Sequence, residues 1–244
     1  MHWMKRQYIG ITVVILACIC MAMVPFIYLH LATGSFLPVV MPEFHSDLWY
    51  YITQIDEVMS GRWLLGNPYF IEYGHMRSPV VLLSVWIAAI PGLLGLPINT
   101  VFAINIFIYT IVTGILFYIL LFHCTKKNVL LTVFLSILGV GYIHNLIVRP
   151  AVMQTVYPVF LLFLITFLLY LEQPNSKKKK LCLVVATALS FYIYLHVWMI
   201  TFTMVGLLLL WNIIRRQYSS LRSIVTIILL ALILCIPQIL VLVG

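Results

Sequence analysis

Five of the six carboxylates in this 244-residue chain fall in one stretch, as Glu43, Asp47, Asp56, Glu57 and Glu72; the sixth is Glu172. His45, Arg62, His75 and Arg77 lie in or beside the same stretch. A positioned carboxylate can take the proton of a hydroxyl nucleophile, and an arginine can hold a phosphate through two parallel charge-assisted hydrogen bonds. His45, Asp47, Glu72 and His75 also offer donor types that a divalent metal accepts, although no close acidic pair stands among them. Two more polar groups interrupt apolar sequence: Arg149, beside Pro150, and His196, before Val197 and Trp198. Each group has a plainer role open to it. Asp47 could simply cap a helix, Arg77 and Arg149 could snorkel to lipid headgroups, and His196 could be a satisfied buried histidine.

The elements that must position these groups follow from composition. The chain is 64% hydrophobic and 8% charged, against about 45–50% apolar and about 25% charged in a soluble domain. A peptide group in hydrocarbon must find its partner inside the protein, so a spanning segment is a helix or part of a closed barrel. The apolar runs are continuous, without barrel-type alternation, and predict an all-α polytopic membrane protein. The net charge of +8 sits in short basic clusters between apolar runs, a pattern that cytoplasmic loops explain without nucleic acid. The cysteines are odd in number, five, lack zinc-type spacing, and predict free thiols. The first apolar run is longer than the core of a signal peptide and reads as a retained helix.

Seven spans are expected, at about 9–31, 98–122, 129–148, 153–171, 181–195, 197–214 and 223–243. The last run before Arg215 is too long for one crossing and is split near His196. Placing the basic clusters inside puts the N-terminus in the cytoplasm and leaves Arg62, Arg77 and Arg149 outside. A rival topology, with the N-terminus outside and 79–96 spanning, keeps as many bases inside. Pro79, Pro91, Gly92, Gly95 and Pro97, with Lys5 and Arg6 directly before the first span, favour the first arrangement. The first extracytoplasmic loop is then 32–97, with surface helices at about 46–60 and 79–95. In the former, Leu48, Tyr51, Ile52, Ile55, Val58 and Met59 recur at helical spacing opposite Gln54, Asp56 and Glu57. Ser46 or Asp47 suits its N-cap, and Gly61 its stop.

Asp47-Leu48-Trp49-Tyr50-Tyr51, leading by helical spacing into Gly61-Arg62-Trp63, resembles the first outer loop of the GT-C type membrane glycosyltransferases. In that family an Asp opens a surface helix followed by Gly-x-Trp. Glu72, His75, Arg77 and Pro79 are similar to the stretch that, in the aminoarabinose and protein O-mannosyl transferase branch, carries an acidic residue, a Lys or His and then Pro-Pro-Leu. Ser78-Pro79 replaces Pro-Pro here. His196-Val197-Trp198 stands where the branch often has Lys-Gly, and Gln154 where an acid is common.

The resemblance implies a GT-C-like module that moves a sugar from a polyprenyl-phosphate donor to an acceptor at the outer face of the cell membrane. Asp47 would be the general base. Tyr50, Tyr51, Glu72, His75, Arg77, Arg149 and His196 would bind substrate, the cations stabilising the phosphate that leaves. Tyr50 and Tyr51 could stack on a sugar, or gather at the interface as aromatics do there. No cofactor is firmly implied, and a divalent metal remains open. Family members continue past a seventh span, so the resemblance implies either a truncated gene or an N-terminal fragment. Two other functions stay in view: a small transporter or flippase component, for which polar residues inside spans would be the sign, and a non-catalytic truncated relative.

Overall fold

The computed structural model describes residues 2–36, 45–63, 83–147 and 152–243. Among them are nine α-helices and no strand: α1 His2–Thr33, α2 His45–Met59, α3 Leu83–Ala89, α4 Ile98–Cys124, α5 Val129–Ile147, α6 Val152–Glu172, α7 Lys177–Ile193, α8 Leu195–Ile214 and α9 Tyr218–Val243. Within them, Arg6–Thr33, Ile98–Cys124, Gln154–Glu172, His196–Ile214 and Ser220–Leu240 are long and apolar enough to cross a membrane. The chain is an all-α membrane protein with five such helices among its described residues. Two further expected spans are helical but shorter in apolar length: α5, with 19 residues, and α7, with 17 residues beginning on four lysines.

Two compact units make up the chain. The first holds α1, α2, most of α3, α4, α5 and α6 as far as Pro158; the second holds the rest of α6 with α7, α8 and α9. Pro158 lies inside α6. Having no N–H, it cannot bond the carbonyl of Gln154 one turn back.

The first unit is organised by close approach of α1 to α4. Gly10, Val14, Cys18 and Ala22 recur every fourth residue along α1 and are all buried. A Cβ added to Gly114 of α4 would collide with the Cys18 Sγ and lie 3.2 Å from Val14; one added to Gly10 would lie 2.6 Å from the Tyr118 hydroxyl. Between helices in lipid, association relies on such van der Waals packing, which small residues permit. Farther along, Phe26 stacks on Phe107 at 5.4 Å, and near the other end the Tyr118 hydroxyl donates to the Gln7 carbonyl at 3.4 Å. The two helices therefore run antiparallel. A tight turn then returns the chain into α5: Lys126 and Lys127 adopt φ of 50° and 71°, and the Asn128 side chain caps α5 by accepting the Leu131 N–H at 3.1 Å. Left-handed backbone at two non-glycine residues costs on the order of 1 kcal/mol each. In return, the Thr125 and Lys127 N–H groups reach the Leu121 and Phe122 carbonyls at the end of α4.

In the second unit, Phe163 and Tyr170 of α6 pack with Leu183 and Val184 of α7, Val205 of α8, and Ile224 and Ile227 of α9. Polar ties reinforce it: the Tyr170 hydroxyl donates to Ser223 Oγ at 3.0 Å, and the Tyr192 hydroxyl to the Leu234 carbonyl at 2.6 Å. The long run 181–214 breaks at Tyr194, whose backbone is extended (φ −166°, ψ 135°). Across the break the buried Ser190 and Thr201 hydroxyls meet at 2.7 Å. The expected position of the break near His196 is thus displaced by two residues, and His196 sits in the first turn of α8.

The α1–α4 contact generates a test. Gly114→Ala should destabilise the protein by about 1–3 kcal/mol, the usual cost of overpacking, and should lower its thermal midpoint in detergent. Pairing it with Cys18→Ala should cost less than the two single changes summed, because the second change removes the atom that the new methyl strikes. Additive losses would show that the two sites are not in contact.

Candidate functional site

The candidate centres on α2. It begins at His45, earlier than the sequence suggests, so neither Ser46 nor Asp47 is its N-cap. Asp47 lies in the first turn instead, where unpaired backbone N–H groups and the helix dipole favour a negative charge. Tyr50 and Tyr51 follow on the same helix. The C-terminal end agrees with expectation: Gly61 has φ 85°, its N–H bonds the Val58 carbonyl at 3.0 Å, and the Arg62 N–H bonds the Glu57 carbonyl at 2.9 Å. These two bonds form a Schellman closure.

Beyond it, the Arg62 guanidinium makes a two-pronged pair with the Glu57 carboxylate, which holds its already high pKa higher still. Arg62 is thereby occupied in holding the end of α2. The Trp63 carbonyl accepts the Trp86 indole N–H of α3 at 3.0 Å, and the two rings meet edge to face at 6.4 Å. At Gly92, after α3, a Cβ would collide with Met59. The Gly61-Arg62-Trp63 sequence thus anchors the C-terminal end of α2 to α3.

One expectation about α2 needs correction. Gln54, assigned to the polar face with Asp56 and Glu57, is fully buried, as are Ile55 and Val58. The helix packs on protein along this side, so the side of the helix that is covered includes a polar residue. Neither amide atom of Gln54 has a hydrogen-bond partner among the described residues.

Further buried polar groups lie in the same unit. Asn105 Nδ2 donates to the Ala88 carbonyl at 2.9 Å, tying α4 to α3. One turn on, Tyr109 packs with Ile87 of α3, Ile143 of α5 and Tyr157 of α6. Beside this cluster in sequence are His144 and Gln154, both buried, with no hydrogen bond to either ring nitrogen or either amide atom among the described residues. The Met21 carbonyl approaches His144, but not in hydrogen-bonding geometry. Thr110 and Thr113 hydroxyls are also buried without partners among the described residues. A histidine at the end of an apolar run looks superficial in sequence, and only the packing of α5 reveals its burial.

The other expected site residues divide as follows. Glu72, His75, Arg77 and Arg149 lie outside the described residues, as do residues 79–82 of the second surface helix. That helix is described as α3, Leu83–Ala89, followed by a 3-10 turn, Gly92–Leu94, rather than one continuous helix to 95. His196 is exposed, not buried, and stacks on Tyr194 at 4.9 Å; it belongs to the second unit, whereas Asp47 belongs to the first. Among the described residues no group of three or more His, Cys, Asp or Glu side chains is arranged to hold a metal.

Gly61→Ala should loosen the end of α2. A methyl at φ 85° costs roughly 1–2 kcal/mol, which should appear as faster amide hydrogen exchange across 54–62 with little change in α9. Unchanged exchange there would show that the Schellman closure does not hold this end.

Comparison with protein family models, curated proteins and solved structures finds no match to this chain.

Proposed function

We propose that the chain is a membrane glycosyltransferase of the GT-C type, using a polyprenyl-phosphate sugar, with Asp47 as its general base. The observation that carries this reading is the position of Asp47 in the first turn of α2, a helix whose far end closes at Gly61 and is fastened through Trp63 to Trp86. A carboxylate on a packed helix is held in place better than one on a loop. The finer arrangement belongs to the same proposal: seven crossings, with α5 and α7 as the two shorter ones, the N-terminus in the cytoplasm and α2 on the outer side of the cell membrane.

In the reaction, Asp47 takes the proton of an acceptor hydroxyl as its oxygen attacks the anomeric carbon. The bond from that carbon to the phosphate oxygen breaks, and the electron pair leaves with polyprenyl phosphate. Direct displacement inverts the sugar carbon. In this reading His75, Arg77 and Arg149 supply cationic groups for the departing phosphate, and Glu72, Tyr50 and Tyr51 contact the sugar. Asp47→Asn should reduce transfer from polyprenyl-phosphate sugars by about 100-fold or more, with membrane insertion and thermal midpoint retained. Full transfer by that variant would remove Asp47 from the mechanism.

A second reading, a transporter or flippase component, draws on the buried polar groups Gln54, Thr110, Thr113, His144 and Gln154, since polar residues inside a helical membrane protein often mark a pathway. It predicts that purified protein in liposomes moves a labelled polar solute without sugar transfer, and that His144→Leu with Gln154→Leu stops the movement. Solute flux that survives both changes would rule out this pathway.

A further inference from the structure

We propose that the first unit binds internal water where α1, α4 and α5 meet, at a site formed by the Thr110 and Thr113 hydroxyls, the His144 imidazole and the Met21 carbonyl. The site is independent of both functional readings above. Helix register brings the four groups to one level. Thr110 is one turn from Ile106, which clusters with Ala22 of α1, and one turn from Gly114, which abuts Cys18 of α1, so it faces α1 between those contacts. Thr113 is one turn from Tyr109, which packs with Ile143 of α5, and one turn from Phe117, which lies against Gly139 of α5, so it faces α5. His144 follows Ile143, and the Met21 carbonyl of α1 approaches its ring. All three side chains are buried.

The hydrogen bonding of the threonines is a second sign. A helical threonine commonly bonds a carbonyl of its own preceding turn, as Thr12, Thr33, Thr132, Thr187 and Thr226 do here with the carbonyl four residues back. Thr110 and Thr113 do not, and no described residue partners either hydroxyl or either nitrogen of His144. Hydroxyls that leave their own helix unbonded are open to a bridging molecule. The chemistry selects which one. A hydroxyl and a neutral imidazole each offer a donor and an acceptor, and the carbonyl offers an acceptor, so the occupant must both give and receive hydrogen bonds. Neither α1 beyond Arg6, nor α4, nor α5 contains a Lys, Arg, Asp or Glu, so these helices bring no counter-charge to an ion. Water meets both demands, and the four groups supply the roughly two to four polar partners that a buried water takes. There is also room: a Cβ on Gly141, three residues before His144, would meet only the Met21 Cε, at an ordinary 3.7 Å. The packing of α1 on α5 is therefore looser here than that of α1 on α4 at Gly114.

The test uses the full chain in detergent with isotope-labelled histidine, and reads magnetisation transfer from water to the imidazole rings by NMR, the His144 resonance being identified by its loss in His144→Gln. Water should reach the His144 ring. Thr110→Val with Thr113→Val, which keeps the shape of both side chains, should cut that transfer several-fold while the other histidines keep theirs. The same pair should lower the thermal midpoint by about 2–4 °C, because the water loses partners; a dry site would respond with a higher midpoint, since two unbonded polar groups would have been removed. Thr187→Val, in the second unit, should leave transfer to His144 intact. If the double variant fails to fold, Thr113→Val alone decides by the same two readings. No transfer to His144 in the unaltered protein, transfer that survives the threonine changes, a raised midpoint, or an equal loss in Thr187→Val would overturn the proposal.

Discussion

Hydrocarbon offers no partner to a peptide N–H or carbonyl, and this constraint governs the chain from end to end. It forces each apolar run into helix, and it removes the ordinary hydrophobic drive that would press one helix on another. What remains is contact at short range. The Gly10, Val14, Cys18 and Ala22 edge of α1 serves that need, because only small side chains let the α4 backbone come near enough at Gly114. The packing of the first unit then builds outward from that seam: α5 returns along α4, and α3 is tied to α4 through Asn105.

Where the helical pattern is interrupted, polar side chains collect. Tyr194 breaks the longest apolar run, and the Ser190 and Thr201 hydroxyls bridge the gap. Pro158 leaves the Gln154 carbonyl without its helical partner, and the Gln154 amide is itself buried and unbonded. A buried polar group without a partner costs about 1–3 kcal/mol. Gln54, His144 and Gln154 are buried in one unit with no hydrogen-bond partner among the described residues, which is the physical reason to look for function there.

Much of the architecture was legible in the residues. Continuous apolarity marked the helical segments from α4 to α9, although the break between α7 and α8 falls two residues before the expected one, and Gly61 announced the end of α2, because a left-handed turn favours glycine. The start of α2 was not legible, since Ser46 and Asp47 suit both a cap and a first turn. Gln54 was misplaced because its neighbours along the helix show which face is polar but not which face another helix will cover. The α1 seam is present only as spacing: within a uniformly apolar run the information lies in side-chain size, and polarity patterns do not register it. The resemblance covers α2 and touches Gln154, where an acid is expected, whereas His144 is marked by burial alone.

The length of α2 sets a limit of its own. Its 15 residues span roughly 22 Å at the rise of an α-helix, with Asp47 near one end and Arg62 just past the other. A rigid rod of that size keeps acid and guanidinium too far apart to grip one small molecule together. In the proposed reaction the cation that accompanies Asp47 is therefore not Arg62, whose guanidinium stays with Glu57 as a clasp.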